Sequence, residues 1–186
     1  MGQYIKPTIS NIFSGWTSGS TGLYSLKAVN DSGLDATGDY AVAEGSGTTA
    51  IGIASHTEGY RTTSVGNYSH AEGFYSKAYS SYSHVEGSNT RTSGNSSHAE
   101  GNSTTALGNN SHAEGDTTKS YGEDSHTEGH FTIASGNNSH AEGYRTTSIG
   151  DYSHTESYRN IASGESSHAE GYYTNEVMPF IGDDQF

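Results

Sequence analysis

The chain has 186 residues, of which 30% are hydrophobic, and its formal net charge is -13, from 8 basic and 21 acidic residues. This acidic balance argues against nucleic-acid binding, because phosphates would be repelled rather than neutralised. Without cysteine, the chain has neither a disulfide framework nor a thiolate metal site. The composition alone is typical of a disordered chain, but the spacing of the residues indicates a regular fold.

The first segment, residues 1–37, is richer in apolar side chains than the rest of the chain, with Ile5, Ile9, Phe13 and Trp16. Two interpretations fit it: the segment attaches the protein to a larger assembly, or it caps the first coil of the structure that follows. No apolar run in the sequence is long enough for a signal-peptide core or a membrane span. The sequence therefore predicts no membrane insertion and does not support Sec-type export.

Residues 38–173 repeat with a step of 14. Nine histidines follow this step from His56 to His168, each with a glutamate two places later, and Val42 with Glu44 begins the series. A glycine follows most of these glutamates, and another lies midway in nearly every repeat. Because glycine adopts positive φ at no steric cost, this pattern predicts turns separated by about five residues, which is enough for a short strand. Each repeat is then a coil of two short strands, and ten coils stacked about 4.8 Å apart form a narrow parallel solenoid.

Side chains alternate along a strand, so each column of equivalent residues faces either in or out. Ser111 and Ala113 represent two columns of small residues in the first strand, and Thr104 and Ala106 represent two in the second. A two-strand coil has almost no lumen, so these four columns are expected inside, with their hydroxyl groups hydrogen-bonding from coil to coil. The histidine and glutamate columns then point outward.

The outward histidine and glutamate columns hardly vary, and a constant polar column is expected to face the same column of a second copy of the chain. A core of Ala and Ser is too small to stabilise the coil alone, which also favours a homo-oligomer with cyclic symmetry. Histidine of one copy then meets glutamate of the next, which predicts raised histidine pKa values and loss of the oligomer at alkaline pH. The predicted seam comprises His56, Glu58, His70, Glu72, His84, Glu86, His98, Glu100, His112, Glu114, His126, Glu128, His140, Glu142, His154, Glu156, His168 and Glu170.

The first repeat contains "YAVAEG" at residues 40–45 and "TTAIG" at residues 48–52, and later repeats contain "SHAEG". On these motifs, residues 38–173 resemble the YadA-like head repeats of trimeric autotransporter adhesins, and the "SHAEG" form resembles repeats of bacteriophage fibre and appendage proteins. The resemblance implies an all-β fold, a left-handed parallel β-roll of about ten 14-residue coils. It also implies a homotrimer used for structure and attachment.

From this resemblance we expect a non-enzymatic fibre or decoration protein on the surface of a bacteriophage virion, joined to the particle through residues 1–37. The head of a bacterial cell-surface adhesin is the alternative. The last segment, residues 174–186, breaks the repeat with Met178, Phe180 and Ile181. We expect it to form a cap or a tip.

Aromatic and arginine residues follow several of the Glu-Gly pairs, at a predicted turn. Such ladders can bind a host surface glycan or protein receptor, although they more often shield the coil below a turn. The candidate receptor-binding residues are Tyr60, Arg61, Tyr144, Arg145, Tyr158 and Arg159.

Three other functions are less favoured by the sequence. His-X-Glu strands meeting at an axis offer imidazoles and carboxylates to a metal ion, but nine such sites in series favour a hydrogen-bonded seam, so neither a metal nor a cofactor is predicted. Ice binding needs a flat threonine array, which Lys77, Arg91 and Lys119 interrupt. Catalysis is not predicted, because neighbours such as Ser111 and His112 point to opposite faces of a strand and cannot act as nucleophile and base.

Overall fold

A computed structural model describes residues 16–28 and 35–176 of the chain. These residues form 23 short β-strands in two sheets, one of 12 strands and one of 11. The described part contains no helix, and therefore none that is long and apolar enough to cross a membrane. The structure confirms the predicted all-β parallel solenoid with a 14-residue step.

The chain alternates between the two sheets as it winds. The first sheet contains, in spatial order, β1 (Trp16–Ser18), β2 (Leu26–Ala28), β4 (Val42–Ala43), β6 (His56–Thr57), β8 (His70–Ala71), β10 (His84–Val85), β12 (His98–Asn102), β14 (His112–Asp116), β16 (His126–Thr127), β18 (His140–Ala141), β20 (His154–Thr155) and β22 (His168–Ala169). The second sheet contains β3 (Asp35–Ala36), β5 (Thr49–Ala50), β7 (Thr63–Ser64), β9 (Lys77–Ala78), β11 (Arg91–Thr92), β13 (Thr105–Ala106), β15 (Lys119–Ser120), β17 (Ile133–Ala134), β19 (Thr147–Ser148), β21 (Ile161–Ala162) and β23 (Asn175–Glu176).

Each strand of the repeat pairs in parallel with the equivalent strand of the next coil. His84 pairs with His98 in the first sheet, and Arg91 pairs with Thr105 in the second. Most strands are two residues long because the turns occupy the rest of each seven-residue half-coil. Since the register step equals the sequence step, every column of equivalent residues is also a column in space.

The first coils differ from the rest. Strand β1 pairs antiparallel with β2 through Trp16 and Ala28, and β2 then pairs in parallel with β4 through Leu26 and Val42. Strand β1 thereby covers the edge of the first sheet, as a cap does. The parallel ladders also extend beyond residues 38–173, because β3 precedes Gly38 and β23 follows Tyr173.

Several sequence expectations fall outside the described residues. They concern the apolar side chains Ile5, Ile9 and Phe13 of the expected attachment segment, and Met178, Phe180 and Ile181 of the expected tip.

The core of the solenoid consists of the predicted columns of small side chains. Ala113 and Ala106 are fully buried, as are Thr104 and, nearly so, Ser111. The largest fully buried side chains in the described part are Val85, Asn160 and a set of threonines. This confirms the predicted inward and outward faces of both strands.

The hydroxyl groups of the core do not bond in the way the sequence suggested. Ser111 Oγ donates to the Gly108 carbonyl oxygen of its own turn at 2.6 Å, and the same bond recurs in the other serines of this column. Thr146 Oγ1 likewise donates to the Glu142 carbonyl oxygen within its own coil, at 2.9 Å. The expected ladder of hydroxyls from coil to coil is therefore wrong for the serine column, where carbonyl oxygens of the narrow turns lie closer. In the threonine column it is seen once among the described residues, where Thr90 Oγ1 donates to Ser76 Oγ of the preceding coil at 2.8 Å.

The two glycine columns serve different purposes. Glycines that follow the Glu residues adopt positive φ, for example 105° at Gly115, as predicted. The midway glycines do not, but a Cβ added to Gly108 would lie 1.8 Å from the carbonyl oxygen of Gly122 in the next coil. Positive φ was therefore the wrong reason for the midway column, where glycine is required by the close approach of stacked turns.

Candidate functional site: the His/Glu face

Histidine is the first residue of every strand from β6 to β22 in the first sheet, and its Glu partner lies two places later on the same side. We call this outward surface, formed by the nine histidines and the glutamates beside them, the His/Glu face. Because a strand alternates its side chains, the intervening Ala, Thr or Val enters the core and both polar groups point away from it. The structure thus brings together all the residues of the predicted seam on one face of the chain.

The nine imidazole rings form a continuous stack along the His/Glu face. The ring centroids of successive histidines lie 4.8–4.9 Å apart, and the planes of most pairs lie within 9° of parallel. The side chains of His70, His98, His112 and His140 are 35–37% exposed. The rings are therefore half-buried, mainly by one another and by the glutamates.

The stack encloses the Nε2 atoms of its inner rings. The Nε2 atoms of seven histidines are buried and have no hydrogen-bond partner in the chain: His70, His84, His98, His112, His126, His140 and His154. Most buried polar atoms in proteins are hydrogen-bonded, so a repeated exception requires a partner from outside the chain or an adjustment of the nearby side chains.

The nearest carboxylate oxygens stand just beyond hydrogen-bond reach of these nitrogens. Nε2 of His112 lies 3.6 Å from Oε2 of Glu114, and Nε2 of His140 lies 3.9 Å from Oε2 of Glu142. At the first coil of the stack, Nε2 of His56 contacts Oε1 of Glu44 at 3.2 Å. Histidine and glutamate are therefore adjacent within one chain, both along a strand and between coils.

Burial lowers the pKa values of His70, His98, His126 and His140 below the usual 6.5, because it disfavours the charged imidazolium. Repulsion from neighbouring imidazoles lowers these pKa values further. In these four histidines the single chain therefore shifts the pKa in the direction opposite to the one expected in the oligomer, and the raised pKa values at a seam between copies stay a prediction. Spacing alone suggested a glutamate beside each histidine, but not that stacking would bury the ring and place other histidines above and below it.

The glutamate column shares protons along its length. A carboxyl hydrogen bond with Glu128 is the main cause that raises the pKa of Glu142 to about 7. The same contact lowers the pKa of Glu128, and Glu142 also lowers the pKa of Glu156. A second pair behaves alike, since the pKa of Glu72 is raised and that of Glu58 is lowered by their mutual hydrogen bond. The repulsion between carboxylates stacked this closely is therefore reduced, because glutamates with a raised pKa alternate with glutamates whose pKa is lowered.

The candidate receptor-binding residues lie at one turn edge of the solenoid in two groups. In the N-terminal group, the Arg61 guanidinium lies 5.4 Å from the Tyr60 ring centroid, and its Nη1 donates to the Tyr75 hydroxyl at 2.7 Å. The ring of Tyr60 stacks on Phe74 in the next coil, with centroids 5.3 Å apart. Arginine here is engaged by its own chain, while the ring edges remain exposed.

The C-terminal group is larger. Tyr158 stacks between Tyr144 and Tyr172, with centroid separations of 5.1 and 4.9 Å. Arg145 lies over the Tyr144 ring at 5.4 Å, and Arg159 lies over the Tyr158 ring at the same distance. The ladder ends in Tyr172, which is 70% exposed, so the structure unites the four candidates of this group beside a large exposed ring.

The outward face of the second sheet is less polar than the His/Glu face. One column places apolar side chains just before the midway glycines, and these are between 36 and 49% exposed. The exposed members are Ile51, Val65, Tyr79, Tyr121 and Ile149. The solenoid therefore has two outward faces of different chemistry, and sequence reasoning considered only the first as a seam between copies.

Asparagines in the midway turns link neighbouring coils, a role that the sequence analysis did not identify. Oδ1 of Asn109 accepts a hydrogen bond from the backbone N–H of Asn95 at 3.0 Å, and Oδ1 of Asn137 accepts one from Glu123 at 2.9 Å. Oδ1 of Asn67 accepts the equivalent bond at 2.9 Å. The recurrence of Asn directly after the midway glycine was the available signal.

Fold and site together define an all-β parallel solenoid in which nine successive coils each carry one His-X-Glu strand on an outward face. The family model described as the YadA head domain repeat matches residues 43–69, 93–111, 99–118 and 128–153. The chain thus contains repeats similar to those of YadA heads, as the sequence motifs suggested, and the matched segments lie within the stacked coils. A search of curated proteins finds no match to this chain.

Proposed function

We propose that the protein is a non-enzymatic, adhesin-like structural protein that assembles as a homotrimer through its His/Glu face. The observation that carries this proposal is the constant outward column of half-buried, stacked histidines beside a core that contains almost only Ala, Ser and Thr. The similarity to YadA head repeats supports the trimer and the attachment role.

The thin core explains why association is needed. Burial of apolar surface stabilises by about 25 cal/mol per Å², and the alanine and threonine columns offer little such surface. A solenoid of this kind gains further buried surface only by packing an outward face on a partner. Parallel copies around one axis place equal coils at equal heights, which suits a face that is the same in every coil.

The His/Glu face fits such a contact through the outer parts of its side chains. The buried Nε2 atoms are already closed off by the chain itself, so a partner copy meets the ring edges and the carboxylates, which are about one third exposed. In this arrangement, the carboxylates of one copy lie close to the side chains of its partners. The seam is then sensitive to charge, since an added carboxylate in any coil is repelled from every copy.

The trimer is tested by measuring the mass of the full chain in solution with light scattering. A homotrimer has three times the 19.6 kDa chain mass. We expect His140→Glu to lower this mass by breaking the seam, whereas Ile149→Glu, on the opposite sheet of the same coil, leaves it unchanged. A monomeric wild type contradicts the trimer. If only Ile149→Glu lowers the mass, the seam lies on the second sheet instead of the His/Glu face.

We further propose that the trimer is a fibre or decoration protein on a bacteriophage virion, joined to the particle through residues 1–37, because the repeats have the "SHAEG" form. The head of a bacterial cell-surface adhesin is equally consistent with YadA-like repeats. Immunogold electron microscopy with antibodies against the purified protein distinguishes the two settings. Label on intact phage particles supports the first proposal, and label confined to the bacterial surface supports the second.

The C-terminal aromatic group is the proposed contact with a host surface glycan or protein. It combines the exposed Tyr172 ring with Tyr158 and Arg159 beneath it. We expect Tyr172→Ala to reduce binding of the protein to host cells by about tenfold, whereas Tyr82→Ala, another exposed ring of the solenoid, has no effect. Equal binding by wild type and Tyr172→Ala contradicts this contact.

A further inference from the structure

We propose that the His/Glu face binds divalent transition-metal ions, each held by imidazole Nε2 and carboxylate oxygens from two adjacent coils. This binding goes beyond the attachment role and requires only one chain. It gives a partner to the enclosed nitrogens that the protein chain leaves without one.

The first step of the argument is the environment of the Nε2 atoms. In seven successive coils this atom is buried and lacks a hydrogen bond. A partner copy cannot reach it directly, because rings above and below and the adjacent Glu already cover it. The glutamates, by contrast, are about one third exposed, so their rotation admits a small ion from the solvent side.

The second step is the separation of the two kinds of ligand atom. Nε2 and Oε2 are 3.7 Å apart at His98 and Glu100, and 3.6 Å apart at His112 and Glu114. These distances exceed those of ordinary N–H···O hydrogen bonds. Two ligands at zinc bond lengths in a tetrahedral arrangement stand about 3.4 Å apart, so small side-chain movements convert the pair into a chelate.

The third step is that the next coil supplies further ligands. His112, Glu114 and His126 form a group whose ligand atoms all lie within 4.8 Å of one another. This set of two imidazoles and one carboxylate leaves a fourth position for water or for a group of another chain. Other coils combine one histidine with two glutamates, as in the groups Glu44, His56, Glu58 and Glu128, His140, Glu142.

The ligand chemistry selects the class of ion. Imidazole with carboxylate suits zinc, cobalt or nickel, whereas calcium and magnesium prefer oxygen ligands alone. Divalent ions in adjacent coils would repel each other across a coil spacing of 4.8 Å. With two coils for each ion, the nine histidines accommodate about four ions per chain.

The experiment uses the full chain, first stripped with a chelator, then dialysed against zinc and analysed for bound metal. We expect about four zinc ions per chain, and about three in H112Q/H126Q, which divides the column into runs of four and three histidines. His130→Gln is the matched control, because His130 lies 3.7 Å from Asp116 but is outside the column. The control is expected to keep the wild-type count.

A second measurement does not depend on the variants folding. Zinc, a diamagnetic ion, added to the wild type should shift the imidazole NMR signals of the column histidines while that of His130 changes little. The proposal is overturned if no zinc is retained, if the count is the same in H112Q/H126Q as in the wild type, or if His130 is affected as strongly as the column. Oligomeric mass is not a readout here, so these results are independent of the trimer.

Discussion

The imidazole of His84 lies flat against that of His98, with ring centroids 4.8 Å apart and planes within 1° of parallel. This centroid distance reflects the rise from one coil to the next, because each residue begins a strand and the two strands pair in parallel and in direct register. Each ring covers its neighbour, which is why the column is half-buried in a chain with so thin a core. The same close repetition brings the turns, the core side chains and the glutamates of successive coils into contact.

The midway glycines are expected to tolerate a side chain poorly, although Ser80 occupies one position of this column. A Cβ at Gly108 would lie 1.8 Å from the Gly122 carbonyl oxygen, so Gly108→Ser must push two coils apart. We expect it to lower the free energy of unfolding by about 3 kcal/mol, measured by urea denaturation. Ser80→Gly is the reverse change in the same column and should stabilise the protein. A neutral Gly108→Ser would show that the turns are not closely stacked.

The width of the coil limits the core to small side chains. Val85 is the largest buried apolar residue described, in a column otherwise occupied by Ala and Thr. Val85→Ala is expected to cost about 1–2 kcal/mol of unfolding free energy through lost methyl groups. Ala113→Leu, which inserts three carbons where none fit, should cost more. Thermal melts of both variants check the order, and a benign Ala113→Leu contradicts the absence of a lumen.

The asparagine bridges between turns should each contribute measurably. Asn109→Ala removes the acceptor of the Asn95 N–H and is expected to cost about 1 kcal/mol. Glu123→Ala serves as the control. Glu123 occupies the equivalent position in the next coil, but among the described residues its side chain makes no such hydrogen bond to the preceding turn. Hydrogen exchange of the Asn95 amide gives a local readout, which should accelerate in Asn109→Ala alone.

The pH dependence follows from the glutamate column. The pKa of Glu142 is raised to about 7 in the folded chain, so above that pH its ionisation opposes folding, and the penalty is relieved as the pH falls below the folded pKa. We therefore expect Glu142→Gln to melt at a higher temperature than wild type at about pH 8, with the difference shrinking toward about pH 5. A chelator is present throughout.

The control for this prediction is Glu165→Gln, which removes the same charge at an exposed midway turn. It should change the melting temperature little at any pH. A Glu142→Gln difference that does not vary with pH would mean that the carboxyls along the column do not share protons. The histidines act in the opposite sense, because their lowered pKa values make the folded chain less stable as the pH falls through about 6.5.

Local chemistry was enough to predict the solenoid, its 14-residue step and the direction of each side chain. Glycine density excluded helices, and the alternation of a strand sorted Ser111 and Ala113 inward and His112 outward, as the structure confirms. These inferences need only residue type and period. The grouping of His112 with Glu114 on one face followed from the same alternation, since residues two apart on a strand share a side.

Only the tertiary structure decided what happens between coils. The need for glycine at Gly108, the bond from Asn95 to Asn109 and the lowered pKa of His98 all depend on distances between residues in successive coils or on burial by them. Sequence spacing shows that such residues recur, but not how closely the coils approach. The energies of packing, hydrogen bonding and ionisation change over a few tenths of an ångström, and those distances exist only once the chain has stacked.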